Sequence, residues 1–511
     1  MLTTENPCYG LVVAVNSKHP DYLDAEPHWQ TARAVVEGEH AVKAMGMRYL
    51  PRLEQQDDDE YKAYKARACF FNATGRLLEN FMGSIFRREP VVKLPEKDPS
   101  GNLAAFRLDV DLRGSTLPGY AKRLVGEVLQ VARAGSLIDW EGDAEDRAYV
   151  SMYAAEDILN WRIERLNGRN ELTLVVLRED VPNLPADEQA LFDTSSSEQI
   201  RVLRLVTAAH GGLEYLVEIW RPIKPAAGKL PGLKLERGKK VEWHKVETKV
   251  PQRLGQPLPQ IPFVFHGSEN YQADIGKLPL QDLINTNLDH YRLDADYKHG
   301  LHFTALPTAY LVGFDKQNTF KIGSPTAWVT DTQGATAGFL EFKGDGLKTF
   351  ERAMDRAEQH MAVLGSRMLE LSKKVGETAS AIELRAAGEN SVLASLVINL
   401  SASLTQVMQW VTWWHGTMTL AEAFSQADVL IQLNTDFGVK GMAAPEITAL
   451  VLAWTKGAIS QDTMMDQFRA GEVLPAGRTN DEERALIAAH LASLRTAPDA
   501  TAAGALPPAG N

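Results

Sequence analysis

Two long helical patterns with a short β-rich segment between them constrain the fold of this sequence most. The first pattern runs from Leu280 to Leu306, and Pro307 is expected to end it. The second runs from Leu347 to about Lys373 and repeats apolar residues in alternating steps of four and three. That apolar seam comprises Phe350, Met354, Ala357, Met361, Leu364, Met368 and Leu371. At ~1.5 Å per residue, each helix is expected to reach roughly 40 Å. The patterns predict two long helices that bracket a small β module.

Strand signals define that module and a larger β region before it. Short runs rich in Val, Ile, Tyr and Trp, bounded by turn residues, are typical of strands. In the larger region they are Ala148–Tyr153, Leu172–Glu179, Ile200–Thr207, Glu214–Trp220, Val241–Lys249 and Ile261–Phe265, with loops expected at Pro182–Gln199 and Pro222–Lys240. In the module, from Thr308 to Gly346, they are Ala309–Val312, Thr319–Ile322, Ala327–Thr330 and Gly338–Phe342.

Helical spacing dominates both ends of the chain. Residues 19–90 and 116–133 are predicted to be helical, with the acidic run 57–60 at a helix N-terminus, where negative charge is favourable. A third long helix is expected from Ser391 to about Phe424, followed by one strand at 428–434. Small helices are expected over 444–494, with caps at Ser460 and Thr479. The Ala-, Pro- and Gly-rich tail, 497–511, is predicted to be disordered.

Composition narrows the classes of protein to which the chain can belong. A length of 511 residues is enough for several domains. The formal net charge of −12 argues against tight binding of DNA over a large surface, because that affinity comes from neutralising phosphates. Cys8 and Cys69 are the only cysteines and are predicted to be unpaired thiols. We expect no signal peptide and no membrane-spanning stretch, hence a protein that is cytosolic when made.

Motifs of the common enzyme mechanisms are absent from the sequence. It contains no GxSxG, no GxxxxGK followed by Ser or Thr, no GxGxxG and no HExxH. The best chemical constellation is His290, His299 and His302 in the first long helix, with Asp296 one turn before His299. A metal site needs three or four converging ligands. We expect these residues to be polar groups on a packed helix. The alternative is that they belong to the metal site of a soluble enzyme. We assign no catalytic residue, metal ligand or cofactor.

Four segments, taken in chain order, carry a resemblance to a known family. The first, His19 to Arg87, includes HPDYLDAEPHW (19–29), GMRYLP (46–51) and YKARA (64–68), and the second runs from Leu278 to Gly313. The third is ETASAIELRAAGENSVLASL (377–396), and the fourth is GAISQDTMMDQFRAGEVLP (457–475). In this order they resemble segments of the portal proteins of tailed bacteriophages. The second is similar to the entry into the portal stem, the third to a tunnel loop and the start of a kinked helix, and the fourth to a crown segment. The middle β region is similar only in its strand-like composition.

The resemblance implies an α+β portal fold with seven parts and a tail. They are an N-terminal wing (1–277), a first stem helix (278–306), a small β clip (307–346), a second stem helix (347–372), a tunnel loop (373–390), a kinked helix and wing return (391–440), a helical crown (441–496) and a disordered tail (497–511). It also implies a dodecameric ring at one capsid vertex of the virion, assembled in the host cytoplasm. Terminase, capsid or scaffold, and head–tail adaptor proteins would be its partners, and double-stranded DNA would pass through it.

The acidic balance suits such a conduit, because net repulsion lets DNA slide where attraction along the whole bore would retard it. Cations at the constriction can still contact phosphates, and the candidates are Lys373, Lys374 and Arg385. Exposed charges at helix ends are the alternative reading of these three residues. The remaining alternative for the whole chain is another structural protein of a phage head or connector.

Overall fold

Helices form both ends of the described chain, and strands form most of its middle. A computed structural model of the protein describes residues 14–95, 101–140, 147–166, 168–183, 192, 194–208, 211–223, 242–304, 308–313, 331–340, 346–369, 391–416, 418–425, 428–437, 444–471, 473–475 and 478–496. Its helices are α1 (Pro20–Glu37), α2 (Glu39–Ala44), α3 (Asp58–Arg67), α4 (Ala73–Ile85), α5 (Asn102–Leu108), α6 (Leu117–Val131), α7 (Gln281–Thr304), α8 (Leu347–Leu369), α9 (Val392–His415), α10 (Leu420–Ser425), α11 (Ala444–Thr455), α12 (Gln461–Ala470) and α13 (Asn480–Thr496). The mixed α+β class predicted from the sequence is confirmed.

The strands form antiparallel sheets. They are β1 (Val91–Lys93), β2 (Arg133–Trp140), β3 (Ala148–Ala154), β4 (Ile158–Leu166), β5 (Arg169–Pro182), β6 (Ser196–Thr207), β7 (Leu213–Pro222), β8 (Trp243–Lys249), β9 (Gln252–Arg253), β10 (Gln256–Pro257), β11 (Phe263–Gly267), β12 (Thr308–Val312), β13 (Thr336–Leu340) and β14 (Leu430–Gln432). One sheet has the order β4-β5-β6-β7-β8 and another the order β11-β2-β3. Three further pairs are β1–β14, β9–β10 and β12–β13.

The core lies where α6 and α9 cover the three-stranded sheet. Apolar residues of α6 recur at helical spacing and are fully buried, as Tyr120, Leu124 and Val128 illustrate. Helix α9 packs on β11 and β14, and most of its residues are buried. Strand β11 is buried along its whole length. A strand between two covered faces is expected to be apolar at successive positions, which is the pattern of Phe263 to Phe265.

Helix starts occur where the sequence predicts them. The Asp57 side chain accepts hydrogen bonds from the Asp59 and Glu60 amides, and Glu60 accepts from the Asp57 amide, so the acidic run is a capping box at the start of α3. Ser460 caps α12 in the same way through the Thr463 amide. Thr479 and Glu482 form the reciprocal pair at the start of α13.

Several predicted boundaries are wrong, and five of the described strands were missed. The third long helix ends at His415, not near Phe424, because the backbone at Gly416 is extended and α10 begins separately at Leu420. Arg253 donates to the carbonyls of Gly416 and Met418 and so stabilises this break. Strand β6 begins at Ser196, inside the expected loop, and β14 covers only Leu430–Gln432 of the expected 428–434. Strand β2 was missed because it begins with buried Arg133, and β4 because it carries Arg162, Glu164 and Arg165. The other three, β1, β9 and β10, are only two or three residues long.

The expectation that no stretch is apolar enough to span a membrane is also wrong for α9. Val392–His415 is long and apolar enough to do so by length and composition alone. Its 15 buried residues explain that composition, since the helix packs in the core of the fold. Cys69 is a free thiol, as predicted, and it is exposed, whereas Cys8 lies outside the described residues.

Candidate functional site: a paired-helix projection

Helices α7 and α8 lie side by side and run in opposite directions. The Tyr297 hydroxyl donates to Glu351 Oε1 at 2.8 Å, and His290 Nε2 lies 3.3 Å from Glu358 Oε1. A step of seven residues forward along α7 is therefore matched by a step of seven backward along α8. At the far end Gly300 lies against Leu347, where an added Cβ would be only 2.8 Å from a Leu347 methyl carbon. The antiparallel pair β12–β13 follows at that same end.

One half of this helical pair is anchored in the body, and the other half projects from it. The apolar residues of α7 that are buried all lie between Leu283 and Ala295. On α8, Met361 and Met368 are buried, whereas no residue from 347 to 360 is. The predicted seam of α8 is confirmed up to Met368, since its residues are buried or half-buried while those between them are mostly exposed. The buried halves join the body, and the halves next to β12 and β13 extend beyond it.

Asn287 fixes the anchored half of α7 to α4. Its side chain is fully buried, and its Oδ1 accepts from the Thr74 amide at 3.1 Å and from the Thr74 hydroxyl at 2.9 Å. Its Nδ2 donates to the Phe71 carbonyl at 2.7 Å. A buried amide with satisfied donors and acceptors specifies one register between two elements, because any shift leaves polar groups unpaired.

A second set of contacts joins α3 to α7 nearer to the projecting half. The Tyr64 hydroxyl donates to Asp296 Oδ1 at 2.6 Å, and burial together with this carboxylate raises the pKa of Tyr64. Arg67 Nη2 lies 3.3 Å from His299 Nδ1. Burial, and then the positive charge of Arg67, lower the pKa of His299. The contact therefore favours a neutral imidazole that accepts from the arginine.

The three histidines of the first long helix do not converge. His290 lies between Phe71 and Glu358, whereas His299 contacts Tyr64 and Arg67 of α3. His302 has an edge contact with Phe303. Across the described part of the chain, no group of three or more His, Cys, Asp or Glu residues is arranged to hold a metal ion. The structure therefore supports packing roles for His290 and His299, and gives no support to a metal-dependent enzyme using this helix.

Exposed side chains on the projecting half mix both charge signs with apolar groups. Glu351, Arg352, Asp355 and Arg356 on α8 are all exposed. Near the tip, Phe303 and Val312 expose 56% and 57% of their surface.

Other sequence-predicted residues lie outside the described part of the chain. These are Lys373, Lys374 and Arg385 of the expected tunnel loop, together with Thr319–Ile322 and Ala327–Thr330 of the expected clip. The α3–α7 and α4–α7 contacts were not predicted from the sequence. Their partners are more than 200 residues apart, as in the pairs Tyr64–Asp296 and Thr74–Asn287, and no local pattern signals such a contact.

Comparison with known proteins gives one family model and several distant structures. The model described as "Domain of unknown function (DUF4055)" matches residues 279–415, which begin just before α7 and end with α9. No curated protein matches significantly.

A chain in the virion of the native gene transfer agent (GTA) particle has a TM-score of 0.35 and 11% identity, covering 84% of this chain and 98% of that one. A chain in the neck of the native GTA particle computed with C12 symmetry has a TM-score of 0.36 and 11% identity, with coverage of 83% and 98%. A chain in the neck of the empty particle computed with C6 symmetry has a TM-score of 0.36 and 11% identity, with coverage of 78% and 89%. TM-scores this low do not establish a shared fold.

Proposed function

We propose that this chain is the portal subunit of a tailed phage or phage-like particle, a structural ring component and not an enzyme. The observation that carries the proposal is the antiparallel pair α7–α8, anchored in a mixed α+β body and leading into the small sheet β12–β13. That arrangement is what the stem and clip of a portal require. The four sequence segments that resemble portals, in portal order, support the same assignment.

The projecting half of the pair has a role in such a ring. In a cyclic assembly each subunit presents one surface to the next subunit and a different surface to the previous one. Side-by-side stems would then enclose a channel, and their tips would form one rim of it. The exposed apolar side chains Phe303 and Val312 at the tip suit a platform for terminase during packaging and for head–tail adaptors afterwards.

The charge of the chain suits a conduit through which DNA slides. A subunit with a formal net charge of −12 repels phosphates on average, so a ring of such subunits surrounds DNA without holding it tightly. We assign phosphate contact at the constriction to Lys373, Lys374 and Arg385. Without a phosphate-binding loop motif in its sequence, the ring depends on a separate motor for ATP-driven packaging.

Negative-stain electron microscopy of the purified full-length chain tests the proposal. We expect rings with a central hole and about twelve-fold symmetry, and light scattering should give a mass about twelve times the 56.4 kDa of one chain. Metal analysis of the same sample tests the enzyme alternative. Small oligomers with stoichiometric zinc or iron would contradict the portal assignment.

A further inference from the structure

A buried arginine lies beside the connection that leads into α7. Arg133, the first residue of β2, has 1% of its surface exposed. Its Nη1 donates to the carbonyl of Ala273 at 2.6 Å, whereas its Nε and Nη2 have no hydrogen-bond partner among the described residues. Burial lowers the pKa of Arg133 to about 9, against the opposing effect of Asp21 and Asp274. A charged group in this environment is unfavourable unless its contacts compensate, so its presence needs a reason.

Aromatic rings hold the Arg133 guanidinium on two sides. Its Cζ lies 4.1 Å from the centre of the Trp161 ring and 4.8 Å from the centre of the Phe265 ring. The imidazole of His19, at the start of α1, stacks on Trp161 at 4.0 Å. Cation–π attraction is stronger when the cation is desolvated, as it is here. The rings therefore restrict the planar group and aim Nη1 at one carbonyl.

That carbonyl belongs to residues 268–280, which join β11 to α7 and are called the connector below. The Ser268 hydroxyl donates to the Lys277 carbonyl at 2.9 Å and closes the connector on itself. Asn399 of α9 donates to the Glu269 carbonyl at 2.7 Å and holds one end. Arg133 holds the middle, at buried Ala273. These contacts help to set the path of the connector and, with it, the start of α7.

We propose that Arg133 is a positioning residue that holds the connector through the Ala273 carbonyl and thereby fixes how the α7–α8 pair leaves the body. An apolar side chain of similar length would fill the space between the rings without burying a charge, but it would leave the carbonyl unpaired. An arginine at this position therefore contributes the Nη1 hydrogen bond to the Ala273 carbonyl. The inference does not depend on the proposed function.

Hydrogen exchange of the full-length chain, followed by mass spectrometry, tests the role. In Arg133→Met we expect amides of the connector to exchange about tenfold faster, while those of β5, β6 and β7 keep their wild-type rates. Arg133→Lys retains a charged donor, so its connector should exchange at a rate between those of the wild type and the methionine variant. The matched control is Arg123→Met, which removes an exposed arginine of α6 and should change neither region.

Two outcomes of the Arg133→Met experiment would overturn the inference. One is wild-type exchange in the connector of Arg133→Met, and the other is an equal acceleration in the connector and in β5 to β7, which would indicate only lower global stability. If Arg133→Met does not fold, Arg133→Gln replaces it. Glutamine ends two atoms short of Nη1 and carries no charge, so its connector must exchange faster than that of Arg133→Lys. Equal rates in those two variants would also overturn the inference.

Discussion

Buried His266 should make the free energy of unfolding depend on pH, and the substitution His266→Gln should remove that contribution. Its imidazole is fully buried in β11, with Nε2 2.6 Å from the Ser136 hydroxyl and Nδ1 2.7 Å from the Ser403 hydroxyl. Ser136 in turn shares a hydrogen bond with Tyr120. The chain of side chains links α6, β2, β11 and α9. Burial lowers the pKa of His266 from 6.5 to about 3.

The sign and size of the effect follow from that shift. Above pH 6.5 the imidazole is neutral in both the folded and the unfolded state, so its protonation does not lower the free energy of unfolding. As the pH falls below 6.5, the unfolded chain binds a proton that the folded chain cannot bind, so the free energy of unfolding decreases by about 1.4 kcal/mol per pH unit. At pH 4 the loss is about 3 kcal/mol, and it levels off near pH 3 at about 5 kcal/mol.

Urea unfolding of wild type and His266→Gln at pH 7 and pH 4 tests this reasoning, with tryptophan fluorescence as the signal and one fixed protein concentration. Other titrating groups are common to both proteins and cancel in the difference. We expect the wild type to lose about 3 kcal/mol more than the variant between the two pH values. His40→Gln, which removes an exposed imidazole, is the control and should follow the wild type. Equal losses in wild type and His266→Gln would refute the argument.

Three further predictions concern the anchor, the tunnel and the motor. Asn287→Leu should lower the free energy of unfolding by about 2–4 kcal/mol in urea titrations, because the Thr74 amide and the Phe71 carbonyl lose their partner. The control Asn285→Leu replaces an exposed asparagine of the same helix and should change the free energy of unfolding by less than about 0.5 kcal/mol. Similar values for the two variants would contradict the role of the buried amide. Replacing Lys373, Lys374 and Arg385 together by alanine should leave ring formation intact and weaken the retention of packaged DNA. Unaltered packaging and retention would contradict the assignment of phosphate contact to these residues. Purified rings should release no phosphate from ATP, and measurable hydrolysis would argue against a separate motor.

Local patterns in the sequence predict the elements whose stability is itself local. The seam from Phe350 to Met368 marks one face of α8, because apolar spacing of 3.6 residues has a direct geometric meaning. Caps at Asp57 and Ser460 place helix starts, since their side chains bond to amides two or three residues away. The prediction fails at Gly416, where Arg253, distant in sequence, stabilises the end of α9.

Strand β2 is a second element that local patterns do not predict. It opens with an arginine, which local propensity assigns to the surface, yet Trp161 and Phe265 from other strands surround the side chain. The candidate metal site fails for a related reason. Spacing along one helix shows which histidines share a face, but α3 and α8 decide what His299 and His290 contact.

The sequence by itself determined that two long helices bracket a short β segment in an acidic chain without motifs of common catalysis. Those properties depend on residue type and spacing, which are local. Only the tertiary structure decided that α7 and α8 are antiparallel partners, that half of the pair is anchored through Asn287, and that Arg133 lies buried beside the connector. Each of these depends on contacts between residues more than 25 positions apart, and packing and hydrogen bonding across such separations leave no periodic trace in the chain.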